Sequence, residues 1–114
     1  MKFVFILSLL TASTVYMPVQ ILNTSLTITV RDEVGNTVSG AEVKLFRNEQ
    51  DYLKEENVVM EGVSDAKGLV KLKKLEAISY YVIVRKADKD NSGGGEIIGK
   101  LEDGKFNKVT IVIQ

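Results

Sequence analysis

From Ser25 onward the chain alternates apolar and polar positions as pleated strands do. Leu26, Ile28 and Val30 fall on one side and Thr27, Thr29 and Arg31 on the other, which predicts a half-buried strand rich in β-formers. The stretch DEVGN at 32–36 breaks the alternation with turn chemistry, because Gly35 and Asn36 accept the positive φ of a tight reversal. After Gly40 the pattern resumes with Ala41, Val43 and Leu45 inward; Gly40 is expected to permit a close backbone approach or a bulge there. The polar residues 47–57 predict either a helical turn or two that docks Tyr52 and Leu53, or a long loop. Residues 58–60 with Val63 predict a short strand. SDAKG at 64–68 predicts a second turn, with Asp65 accepting from its own backbone and Gly68 left-handed. Residues 69–75 predict the next strand. Residues 78–84 are dense enough in apolar and aromatic side chains to predict a central strand buried on both faces. Residues 88–95 read as a loop. Ile97, Ile98 and Leu101 predict another strand, Asp103 and Gly104 a turn, and Phe106, Val109, Ile111 and Ile113 a closing strand.

That is about seven short strands at turn-punctuated intervals with no long helix, the signature of an all-β, antiparallel sandwich of two sheets. The lone proline, Pro18, falls outside every strand, as ladder hydrogen bonding requires.

The stretches LTITVRDEVGNTVSGAEVKLF, GVSDAKGLVKLKKL and ISYYVIV resemble the carboxypeptidase regulatory-like domains, which are transthyretin-like (prealbumin-like) sandwiches. Val30, Asp32, Gly35, Val38, Gly40, Ala41 and Val43 fit that family's first strand pair. Asp65 and Gly68 fit its second turn, with Ser64 in place of a threonine. Leu75, Tyr80, Val82 and Val84 fit a later strand, so the resemblance covers residues 25–86. It implies a prealbumin-like (Ig-like) topology and an exported bacterial protein. In that family such domains accompany larger enzymes or outer-membrane receptors and assist folding, spacing or recognition. The motif records turns and core positions, so it speaks for fold more than for activity. Tyr80 fits a structural role: its ring can fill the core while its hydroxyl reaches an edge or loop.

The start of the chain is different. Lys2, an apolar run at 3–10, small residues at 11–14 and no further charge before Arg31 predict a signal peptide over residues 1–20. Cleavage after Ser13 or nearer Gln20 leaves 21–114 as the sandwich domain, exported to the periplasm, the outer membrane or the medium. The alternative is an uncleaved anchor, since residues 3–22 are uncharged and nearly long enough to span a bilayer; Pro18 and the hydroxyl residues weigh against it.

Composition narrows the chemistry. Fifteen basic residues balance fifteen acidic ones in the 114-residue chain, so no global field draws it to nucleic acid. It has no cysteine and no histidine, which removes disulfides, thiolate chemistry, the commonest metal ligand and the commonest general base. Paired carboxylates at 32–33, 55–56 and 102–103 are expected to solvate the surface, and the lysines of 71–74 a strand face. Asp88, Asp90, Ser92 and Gly93 copy the opening of a calcium loop. The copy then fails, because Gly99 stands where the bidentate acid belongs and Glu96 falls short of it. Asp88, Asp90, Ser92 and Glu96 remain candidate ligands for weak Ca²⁺ binding. Tyr52, Tyr81 and Asn91 are candidate contact residues on a loop-built recognition surface. Pilin and adhesin repeats of related topology cross-link a first-strand lysine to a last-strand asparagine; Asn107 is suitably placed, but 26–31 holds no lysine and Lys44 is on the second strand. Asn107 is therefore expected to satisfy a turn or strand end.

These readings converge on a monomeric, non-enzymatic, exported module without a required cofactor. It is expected to bind protein or glycan, or to support structure, at the cell envelope. The alternative is weak Ca²⁺-dependent carbohydrate binding through residues 88–96.

Overall fold

The computed structural model describes residues 23–114. The expected signal peptide, its cleavage points and the alternative anchor lie outside them. β1 (Thr24–Asp32) forms where the alternation begins, with Leu26, Ile28 and Val30 fully buried. β4 (Leu69–Leu75) runs antiparallel to it on one side and β8 (Phe106–Ile113) parallel to it on the other, giving a sheet of order β4-β1-β8. The facing sheet has the order β3-β2-β5-β6, from β3 (Met60–Val63), β2 (Glu42–Phe46), β5 (Tyr80–Lys86) and β6 (Lys89–Asp90). β7 (Ile97–Ile98) joins it by pairing with β5, Tyr80 against Ile98.

Val43, Leu45, Tyr80, Val82 and Val84 of the second sheet meet Leu26, Ile28, Val30, Val70, Leu72, Ile111 and Ile113 of the first in one apolar core. Removing such area from water supplies roughly 1.5–3 kcal/mol per large side chain and drives the layering. Reciprocal backbone bonds of 3.2 and 3.0 Å between Asp90 and Gln114 lace the two sheets together beside β8.

The two-layer sandwich is as expected; several details differ. Among the described residues there are eight strands, two of them only two residues long, and β1–β8 is a parallel pair inside an otherwise antiparallel arrangement. Alternation cannot distinguish the two directions, because side chains change faces with the same period in both. β5 is fully buried on one face only: Tyr81 and Ile83 are half-buried. The expected loop at 88–95 contains β6, and Leu101 is buried without being in a strand.

Residues 49–54 take the helical alternative as α1 (Glu49–Lys54). The Asn48 side chain caps it by accepting from Asp51 N–H at 2.9 Å, and Glu55 ends it in the left-handed region. Tyr52 docks; Leu53 does not and is 69% exposed, since a helix this short presents one side to the sheet. Gly40 takes φ +76°, and the atoms nearest an added Cβ are the flexible end of the Lys86 side chain, Nζ at 3.2 Å, and not backbone. Gly68 has φ +80°, and an added Cβ would stand 2.8 Å from Thr37 Cβ and 3.0 Å from the Val30 carbonyl oxygen. In the same turn Asp65 accepts from Lys67 N–H at 2.9 Å and Leu69 N–H at 3.0 Å.

Candidate functional site

Outward positions of β5 meet the docked side of α1, and two of the three predicted contact residues come together there. The rings of Tyr52 and Tyr81 are 5.3 Å apart and tilted by 34°, while Tyr52 meets Phe46 edge-on at 6.1 Å. Partial burial raises the Tyr52 pKa above the usual phenol value, and the carboxylates of Glu96, Asp90 and Glu49 raise it further. Next to this pair, Arg85 grips Glu55 through two bonds of 3.1 and 2.9 Å, with Lys44 Nζ 3.8 Å away. The hydrogen bond from Arg85 holds the Glu55 carboxyl below its ordinary range. A depression of about 190 Å³ opens between Tyr52, Glu55, Ile83, Arg85, Asp90 and Ser92. The sequence marks Glu55 only as half of a solvating carboxylate pair and does not single out Arg85, whose signal is its outward place in the β5 alternation.

Asn91 plays another part. It is only 4% exposed, its Oδ1 accepts from Val84 N–H at 2.9 Å, and its Nδ2 donates to the Val82 and Gly95 carbonyls at 3.0 and 3.1 Å. The side chain thus substitutes for a missing strand along β5 and pins the glycine loop, at the wall of the depression that Tyr52 also lines.

Two of the predicted calcium ligands, Asp90 and Glu96, are similarly engaged. Asp90 Oδ1 accepts from Ser92 N–H at 2.9 Å, which lowers its pKa, and Glu96 Oε2 accepts from Gly93 N–H at 2.8 Å. Asp88 sits exposed in the turn between β5 and β6. Among the described residues no three acidic side chains converge as a metal cluster.

The paired carboxylates part company. Asp32 caps its own turn through Val34 and Asn36 N–H, Glu55 faces Arg85, Glu102 lies 3.8 Å from Lys105, and Asp103 accepts from Thr24 Oγ1. The buried Ser64 hydroxyl donates to the Val38 carbonyl and accepts from Ala41 N–H, so it is a structural strut with no base beside it. Asn107 clasps a strand end as expected, donating to the carbonyls of Ser25, Glu102 and Lys105 and accepting from Glu102 N–H. Lys44 is on the other sheet, beside Glu55.

Neither a protein-family model nor a curated protein matches the chain. Solved structures do. The Bacillus anthracis TIE protein is similar at 23% identity over 81% of this chain, with a TM-score of 0.56. BcpA, the major pilin subunit of Bacillus cereus, matches at 22% over 82%, TM-score 0.54. The pilus 2b backbone protein of group B streptococcus matches at 17% over 83%, TM-score 0.53. The fold is that of their β-sandwich domains. The present sandwich spans 17%, 30% and 42% of those three chains, less than half of each. The likeness concerns the fold, and the narrower resemblance to carboxypeptidase regulatory-like domains is not among these matches.

Proposed function

We propose that the chain is a non-enzymatic structural and recognition module of the bacterial cell envelope, exported by the signal-like residues 1–20. In this reading it is a carboxypeptidase regulatory-like sandwich that holds a partner protein or glycan against the Tyr52–Tyr81 face. The observation that carries the reading is that aromatic pair, fixed by a capped helix and a central strand beside the Glu55–Arg85 bridge. Rigid aromatics flanked by a charge pair bind with little loss of side-chain freedom. Two further points support it. The Ser64 hydroxyl and the Asp32 and Asp65 carboxylates are engaged by backbone groups of their own turns and neighbouring strands. Sandwiches of similar fold occur in a major pilin subunit and a pilus backbone protein. No observation favours the Ca²⁺-dependent carbohydrate reading.

The test is a photo-crosslinking residue placed at Tyr81 in the exported protein in cells. An adduct in the envelope fraction is expected, lost when Tyr52→Ala removes its neighbour and absent with the crosslinker at Lys100. Recovery of the protein in the cytoplasm only, or turnover of an ester or peptide by the purified chain, would overturn the reading.

A further inference from the structure

On the sheet facing away from that aromatic pair, charge is unevenly placed for a chain with equal numbers of acids and bases. Its outward positions carry no acid. Thr27 of β1 pairs with Lys71 of β4 on one side and with Lys108 of β8 on the other. Two strand spacings therefore separate the backbones of two lysines that flank a hydroxyl, about 10 Å. Lys73 and the left-handed Lys74 come next along β4. These four lysines and Phe106 line a groove of about 810 Å³ into which no carboxylate projects. None of the four has a carboxylate within salt-bridge distance among the described residues, and Phe106 is 82% exposed. The nearby acids of the turn before β8 are engaged elsewhere, Glu102 with Lys105 and Asp103 with Thr24.

Asn23, where the described chain begins, lines the same groove, and residues 3–22 immediately before it carry no charge. Until the expected cleavage, that run brings the segment behind it to the headgroups. Here that segment opens onto a cluster of unpaired lysines around a bare aromatic ring, the composition of an interfacial contact.

We propose that this groove is a docking surface for an anionic lipid bilayer, with Lys71, Lys73, Lys74 and Lys108 at the headgroup phosphates and the Phe106 ring at the acyl boundary. Attraction of each lysine to an anionic surface multiplies partitioning roughly fivefold, so several together hold the domain at the membrane without the apolar run. The proposal concerns the sheet opposite Tyr52 and Tyr81 and does not depend on the function proposed for them.

The experiment uses the full chain with vesicles of phosphatidylcholine alone or mixed with phosphatidylglycerol. The chain has no tryptophan, so Phe106→Trp reports its own position by emission. A blue shift on the mixed vesicles is expected, together with preferential partitioning to them that fades with salt. Lys71→Gln/Lys73→Gln/Lys108→Gln should lower partitioning to the mixed vesicles about a hundredfold and leave that to phosphatidylcholine unchanged. Lys86→Gln, on the other sheet, should change neither. The proposal is overturned if the chain ignores the mixed vesicles, if the triple variant binds them like the parent, or if the tryptophan emission is unmoved on bound chain. It is also overturned in favour of a second copy if sedimentation at low salt shows self-association that the triple variant loses. Tight binding of soluble polygalacturonate without vesicle preference would instead assign the groove to an anionic polysaccharide.

Discussion

Asn91 and Asn107 look alike in a sequence, polar residues beside glycines and turns, yet both are clasps. Asn91→Ala removes three hydrogen bonds from a buried position, and the Val84 N–H and Val82 carbonyl lose their partners. A loss of about 2–3 kcal/mol is expected in urea unfolding, with faster amide exchange over residues 91–95. Asp65 carries a pH dependence. Bonds from Leu69 N–H and then Lys67 N–H hold its carboxyl below the ordinary aspartate value. A depressed folded-state pKa stabilises the fold above the unfolded value and is lost as pH falls through the folded one, so the effect lies below about pH 4. Asp65→Asn should flatten the acid-side fall in melting temperature while leaving the neutral-to-basic region without added slope. At this scale the sequence names Tyr52 and Tyr81 as contact candidates, and the structure packs the two rings together. The sequence could not tell that Asn91 turns inward, because burial of an amide depends on unpaired strand groups that exist only once β5 is edged by two short strands.

Among the elements, β1, β2, β4 and β8 were legible in sequence because each has one buried face and alternates over most of its length, broken at Phe46 and at Lys74. β6 and β7 were not, since two residues are too few to show a period. The α1 segment stood between helix and loop; its Asn48 cap decides it, while the helix itself buries no residue. That weak attachment gives a prediction. Asn48→Ala should cost the helix about 1 kcal/mol, yet leave global unfolding nearly unchanged. The visible effect should be local: loss of ring-current shifts between Tyr52 and Tyr81, and weaker crosslinking at Tyr81. A global loss as large as that of Asn91→Ala would mean that α1 is part of the cooperative core.

For the whole molecule, a net charge of zero hides two dissimilar faces. One carries α1 with its acids and the tyrosines; the other is a field of threonines and lysines. The run at 71–74 was legible as a solvated strand face, but its companion Lys108 joins it only through the parallel register of β1 and β8, which no local pattern encodes. The same register has a mechanical consequence. β1 and β8 point the same way, so the chain enters one end of their shared ladder at Asn23 and leaves the other at Gln114. Tension through those two residues slides one strand along its neighbour, and the bonds from Ser25 to Asp32 bear the load simultaneously. Attachment at Asn23 and Lys105, both at one end, would peel them apart in succession. Single-molecule stretching is therefore expected to give a markedly higher rupture force for the first geometry, and equal forces would show that another interface yields first.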